Sequence, residues 1–218
     1  MRVLLVIVSL SVFSSFGQHE FEVWSEVGVD YKIKKGLHSM VELNSRFNNE
    51  GLKTIFPQLG IEYALTKWLK SSLEYRFVGE KNNYGNFKSS SSIRTNFTFR
   101  KSKKRFRAGL RLRYQYSFSH QVFSSYNEDF DQAFRFRPFI EYDINNFILT
   151  PVVNTEFFYN PEYGPKGRQF TKVRYTAGFK LDSSSPHNVS LRYRLDQSMN
   201  RYPVRFRHIL SLKYGYAF

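Results

Sequence analysis

Two groups of residues have the types and spacing to do chemistry. Ser117, Ser119, His120, Asp129 and Asp131 fall within one polar stretch. A hydroxyl, an imidazole and a carboxylate are the parts of a nucleophile, base and orienter set of a hydrolase. Polar loops collect such residues by composition alone, so a hydrolase is kept only as an alternative. The expectation is a protein that is not an enzyme, with no catalytic residue assigned. The five histidines, His19, His38, His120, His187 and His208, show no metal-ligand spacing, and cysteine is absent. No metal site, thiolate nucleophile or disulfide framework is therefore expected. Gly164-Pro165-Lys166-Gly167 reads as a turn rather than a phosphate loop, and no cofactor is expected.

The second group is a set of arginine rows. In Arg105-Phe106-Arg107-Ala108-Gly109-Leu110-Arg111-Leu112-Arg113-Tyr114-Gln115-Tyr116 every even position is apolar or aromatic, and the odd positions are mostly arginine. Period two is the signature of a strand, whose successive side chains point to opposite faces. Guanidinium rows on one face can pair with carboxylates or attract anions.

Those rows must be held by many strands, because the alternation runs almost the length of the chain. It divides into about eleven segments, near 21–33, 37–47, 55–65, 68–78, 91–100, 105–116, 133–142, 147–159, 170–181, 187–195 and 204–218. Connections alternate between short and long. That is the habit of outer-membrane barrels with tight periplasmic turns and longer outer loops. No helical period follows residue 17. The expected fold is all-β: a single antiparallel transmembrane β-barrel over 18–218. Bacterial single-chain barrels have even strand numbers, so twelve strands are expected and ten is the alternative.

Residues 1–17 read as a signal peptide. Arg2 is followed by the apolar run Val3–Phe13, with the small residues Ser15 and Gly17 before Gln18. The run is too short to span a membrane as a helix. Of the 218 residues, 33 are Lys or Arg and 18 are Asp or Glu, giving a net charge of +15, and aromatics make up 18%. A mean hydropathy of −0.47 would suggest a water-soluble chain. In a barrel that average misleads, because alternate residues cancel. Basic residues interleaved with aromatics also suit nucleic-acid binding, but here the arginines are spread over every segment, and no nucleic-acid partner is expected.

With lipid outside, the charged face becomes a lumen. Its candidate network is Glu22, Glu26, Asp30, Glu42, Glu74, Arg76, Arg107, Arg111, Arg113, Arg135, Arg137, Glu141, Arg192, Arg194, Arg205 and Arg207. Charges in a narrow lumen must pair. Closure would bring Glu22, Glu26 and Asp30 of the first strand beside Arg205 and Arg207 of the last. Tyrosines near the ends of the apolar faces suit a bilayer interface. The end of the chain, with Tyr214, Tyr216 and Phe218, resembles the C-terminal signal read by the barrel-assembly machinery.

Phe21-Glu22-Val23-Trp24-Ser25-Glu26-Val27-Gly28-Val29-Asp30-Tyr31-Lys32-Ile33, then Gln58-Leu59-Gly60-Ile61-Glu62-Tyr63 and Leu73-Glu74-Tyr75-Arg76-Phe77, resemble the domain-of-unknown-function 2490 family. Its members are held to be outer-membrane proteins common in Bacteroidetes. The resemblance implies location and fold and carries no catalytic residue. The expected protein sits in the outer membrane of a Gram-negative bacterium, as a monomer with a charge-filled lumen. It would meet outer-membrane lipid, lipopolysaccharide and partners through its outer loops. The alternatives are a narrow anion-preferring channel, an outer-membrane rim hydrolase, and a soluble lipocalin-like barrel with the alternation inside out.

Overall fold

A computed structural model describes residues 18–81, 85–119, 132–145, 147–164, 167–181 and 186–218. The expected signal peptide and the candidate hydrolase residues His120, Asp129 and Asp131 lie outside the described residues. All the regular structure among the described residues is β. Eleven strands close into one barrel: β1 (Gln18–Lys34), β2 (Leu37–Asn48), β3 (Gly51–Ala64), β4 (Leu69–Lys81), β5 (Phe87–Lys103), β6 (Phe106–Ser119), β7 (Gln132–Tyr142), β8 (Leu149–Asn160), β9 (Gln169–Leu181), β10 (His187–Ser198) and β11 (Arg205–Ala217). Each coincides with one of the alternating segments.

The expectation of an even, wholly antiparallel barrel of twelve or ten strands is corrected. Ten successive antiparallel pairings leave β11 running in the same direction as β1. The barrel then closes through a parallel pair, from Gln18↔Arg205 to Asp30↔Ala217. Hydrogen bonding continues past the strand ends, where the Phe218 N–H donates to the Asp30 carbonyl at 2.8 Å. An odd count also places Gln18 and Phe218 at opposite ends of the barrel.

The two ends differ. At the end that carries Phe218, the connections are 35–36, 65–68, 104–105, 143–148 and 182–186. At the end that carries Gln18, they are 49–50, 82–86, 120–131, 161–168 and 199–204. In each successive pair the second is at least as long as the first, so these are the turn end and the loop end. Gly36 closes the β1–β2 turn at φ +81°, a left-handed conformation that favours glycine. Pro57 and Pro138 occupy strand interiors. Each coincides with a gap in the ladder to the following strand, where a missing N–H would otherwise be felt, and the register resumes unchanged beyond it.

The alternation resolves cleanly into two faces. Val27, Val41, Leu59, Leu73, Ile93, Leu110, Ile140, Val153, Phe179, Leu191 and Leu212, one from each strand, all point outward and are exposed. The inward face holds the buried Glu22, Asn44, Gln58, Glu74, Arg94, Asn96, Arg113, Glu141, Glu156 and Asp196. Aromatic pairs fringe the outer face near both rims. Trp68–Phe99 and Phe106–Tyr142 lie toward the turn end, with centroids 6.0 and 4.7 Å apart. Tyr114–Phe134 and Tyr159–Phe170 lie toward the loop end, at 5.1 and 5.4 Å.

Candidate functional site

The loop half of the barrel encloses a cavity of about 1320 Å³. It is lined by the loop-end portions of the strands, from Glu20–Glu26 of β1 to Arg205–Lys213 of β11. Seventeen of the lining residues are Lys or Arg and eight are Asp or Glu. The cation excess thus survives folding and is concentrated inside. In the turn half, inward glycines leave room that side chains of the adjacent strands occupy. A Cβ on Gly109 would stand 2.6 Å from Cζ of Phe139, and one on Gly28 would stand 2.9 Å from Cγ of Glu42. The Met40 side chain fills the space over Gly60 in the same way.

A belt of charge-assisted hydrogen bonds runs around most of the barrel wall inside the cavity. Nη2 of Arg113 donates to both Glu74 oxygens at 3.1 Å. Glu74 also faces Arg94 at 3.7 Å and accepts from Asn96 at 2.8 Å. Gln58 accepts from Arg76 at 2.6 and 3.0 Å and from Arg94 at 3.4 Å, and donates to Glu42 at 3.3 Å. Lys213 bridges Glu42 and Glu26, and Glu26 accepts from Arg194 at 3.3 Å. The belt thereby visits β6, β4, β5, β3, β2, β11, β1 and β10. On the remaining wall, Glu156 takes Arg111 at 2.6 Å and Arg135 at 2.9 Å, and Asp196 takes Arg174 and Lys172.

Inward rings, the buried Trp24 and Phe56 and the half-buried Phe158, lie against guanidiniums that would otherwise repel. Arg46 lies 4.1 Å from the Trp24 centroid and Arg76 lies 3.8 Å from that of Phe56. Arg174 and Arg194 both sit 4.9 Å from the Trp24 ring, and Arg135 sits 4.4 Å from Phe158. Each such contact contributes about 0.5–2 kcal/mol, more when desolvated. The Trp24 indole N–H donates to Glu22 at 2.7 Å, which fixes the ring.

The expected network divides into parts. Glu22, Glu26, Glu42, Glu74, Arg76, Arg111, Arg113, Arg135 and Arg194 belong to the belt, its aromatic spacers or the adjoining wall. Arg107 and Glu141 pair at 3.0 Å in the turn half, where Lys180 also reaches Glu141. Arg207 meets Glu20 at 3.0 Å and Glu22 at 3.4 Å, as closure requires. Three expected pairings are corrected. Glu26 turns to Arg194 and Lys213, while Asp30 and the Arg205 side chain make no ion pair among the described residues. The parallel register explains all three. It puts Gln18, not Glu26, opposite Arg205, and it puts Asp30 opposite Ala217. Arg137 and Arg192 line the cavity without a carboxylate within 4 Å among the described residues. Tyr214, Tyr216 and Phe218 continue the outward face of β11 to the turn end.

Sequence reasoning missed Asp196, which is 3% exposed and holds two cations. Strand parity marks it, because it follows Arg192 and Arg194 on the inward face of β10. Gln58 and Asn96 were missed because neutral amides carry no charge signal. The inward Trp24, Phe56 and Phe158 were hidden by the assumption that rings face lipid.

A family profile described as Protein of unknown function (DUF2490) matches residues 21–207. The chain belongs to that family. The stretches Phe21–Ile33, Gln58–Tyr63 and Leu73–Phe77, on which the resemblance rested, form most of β1 and the central parts of β3 and β4. The curated proteins include no match to this DUF2490 chain. The family description names no activity, so what this DUF2490 barrel can do is argued from its cavity and its outer face. Among the described residues no three His, Cys, Asp or Glu side chains converge as a metal site would require.

Proposed function

We propose that the protein is an integral outer-membrane β-barrel whose role is structural and interactive. It presents a basic, belt-lined vestibule and its longer loops to the outside, with the short turns in the periplasm. The observation that carries this reading is the unbroken outward apolar face, exposed on all eleven strands while the charges are turned inward. A water-soluble barrel would require the reverse, because a continuous exposed apolar surface of this extent is costly in water. Strands of 11 to 17 residues are long enough to cross a bilayer when tilted. Aromatic pairs toward both rims are where interfacial girdles belong. Lipid and lipopolysaccharide would surround the barrel, and Phe218 would engage the assembly machinery during insertion. The proposal carries no catalytic step.

Fractionation of the expressed protein, followed by unboiled and boiled gel electrophoresis of the membranes, tests it. The expected outcome is recovery in the outer membrane with a heat-dependent mobility shift. A soluble periplasmic product would sink the reading. A second reading, a narrow anion-preferring channel, is favoured by the excess of cations lining the cavity. Single-channel steps with anion selectivity in planar bilayers would support it, and a silent barrel would favour the structural reading.

A further inference from the structure

We infer that the vestibule wall holds a phosphate-class oxyanion, gripped by Arg111, Arg137 and Arg192. The inference rests on the vestibule reading in one respect, that the cavity opens to solvent at the loop end. The wall formed by β6, β7 and β8 has used up its carboxylates. Glu74 is shared by Arg94 and Arg113, and Glu156 is shared by Arg111 and Arg135. Arg137 and Arg192 have no carboxylate within 4 Å among the described residues; they lie within electrostatic reach of each other, and beyond that distance Arg137 also feels Arg111, Arg135 and the already shared Glu156, and Arg192 the already shared Glu26. The strand register worsens the repulsion. Arg111 is directly opposite Arg137, and Arg113 is directly opposite Arg135. Like charges placed directly opposite on one face destabilise a sheet.

All three side chains line the cavity and are partly exposed to it. Their Nε atoms, like those of Arg46 and Arg94, are covered by protein and make no hydrogen bond among the described residues, so the guanidinium ends are what a ligand can reach. Water there would leave the cation excess uncompensated. A tetrahedral oxyanion offsets it, because it carries up to two negative charges and its oxygens match guanidinium forks. Arg192 is also pre-positioned, since its Cγ lies 2.9 Å from where a Cβ on Gly178 would stand. Free phosphate and a lipid headgroup phosphate present the same oxyanion chemistry to these guanidiniums.

The test is titration of the refolded full-length protein in detergent at low ionic strength. Inorganic phosphate is one arm and solubilised lipopolysaccharide the other, with binding read by calorimetry and by the thermal shift of the unboiled band. Binding by the wild type is expected. Arg137→Gln and Arg192→Gln should each weaken it roughly tenfold or more, while the exposed rim variant Arg205→Gln should stay within about twofold. Preference for lipopolysaccharide over phosphate would assign the ligand to a headgroup, and equal affinity would assign it to the free ion. Both results support the site when they depend on Arg137. Arg137→Glu guards against misfolding of the neutral variants. It supplies the absent carboxylate from within, so it should fold without phosphate, melt at or above the wild-type temperature and ignore added phosphate. The site is overturned if the heat-modifiable wild type binds neither probe. It is equally overturned if Arg205→Gln loses as much as Arg137→Gln, or if Arg137→Glu cannot fold or responds to phosphate like the wild type. Loss of the membrane reading would appear in fractionation instead, and the titration does not depend on that result.

Discussion

The loop half and the turn half of this barrel are built from the same eleven strands with the same alternation, yet their interiors differ in kind. The loop half keeps an open cavity in which cations outnumber carboxylates by about two to one. In the turn half, side chains of adjacent strands pack over inward glycines, and the Arg107–Glu141–Lys180 cluster and Glu62–Lys70 pair are locally balanced or nearly so. Two sequence features make the difference. Inward glycines at 28, 60 and 109 admit neighbouring side chains in the turn half, and inward arginines without matching acids line the open cavity of the loop half. Period two therefore sets which face is which, while residue size and charge balance along the inward row set whether the lumen is filled or open.

The sharpest way to break this contrast is to put bulk where the turn half has none to spare. Gly109→Val would drive a Cβ against the Phe139 ring and the Phe99 carbonyl. Overpacking usually costs about 1–3 kcal/mol, and more when backbone is met, so no heat-modifiable barrel should refold from urea. Ser90→Val, on the wall of the open half, should refold with stability within about 0.5 kcal/mol of wild type. Equal behaviour of the two variants would mean that both halves are equally loose.

The next effect sharpens the charge side of the contrast. Glu74→Gln leaves Arg94 and Arg113 buried without their shared carboxylate. Removing one partner of a buried pair typically costs about 3–5 kcal/mol. The urea midpoint should therefore fall well below that of wild type, opposite in sign to the expectation for Arg137→Glu. A loss at Glu74 no larger than that of a surface acid would show that the belt is solvated and that its burial has no energetic weight.

Much of this contrast was legible in the sequence, and the limits of legibility are physical. All eleven strands follow from alternation, because an apolar outer face and a polar inner face impose period two on every strand. The even count came from a rule about families of barrels and not from any residue, and the parallel β1–β11 seam removes the need for it. Inward placement of Glu74 and Arg113 was readable from parity. Their mutual contact was not, since 39 residues separate them and only closure and stagger bring them together. Glu26 was assigned to the wrong partners for the same reason: which acid meets which base depends on the register of the seam, and no local pattern encodes that. The glycines at 60 and 109 were visible as letters, but the packing of Met40 and Phe139 over them depends on pairing across strands.

The smallest effect tests the balanced pair of the turn half. Glu62 and Lys70 approach to 2.5 Å, but both side chains remain about one-third exposed. They lie on β3 and β4, the strands that also carry Gln58 and Glu74, so strand context is held constant and solvent access is what changes. Water screens the pair and competes for both ends, and exposed pairs of this kind contribute at most about 1 kcal/mol. Glu62→Gln should therefore move the urea midpoint only slightly, and in 1 M salt, where the Debye length is about 3 Å, the difference from wild type should vanish. The deficit of Glu74→Gln should persist in the same salt, because buried charges are screened far less. If Glu62→Gln matched Glu74→Gln in size and in salt response, solvent access would not be what separates the two pairs, and the distinction between the buried belt and the partly exposed turn-half pair would fail.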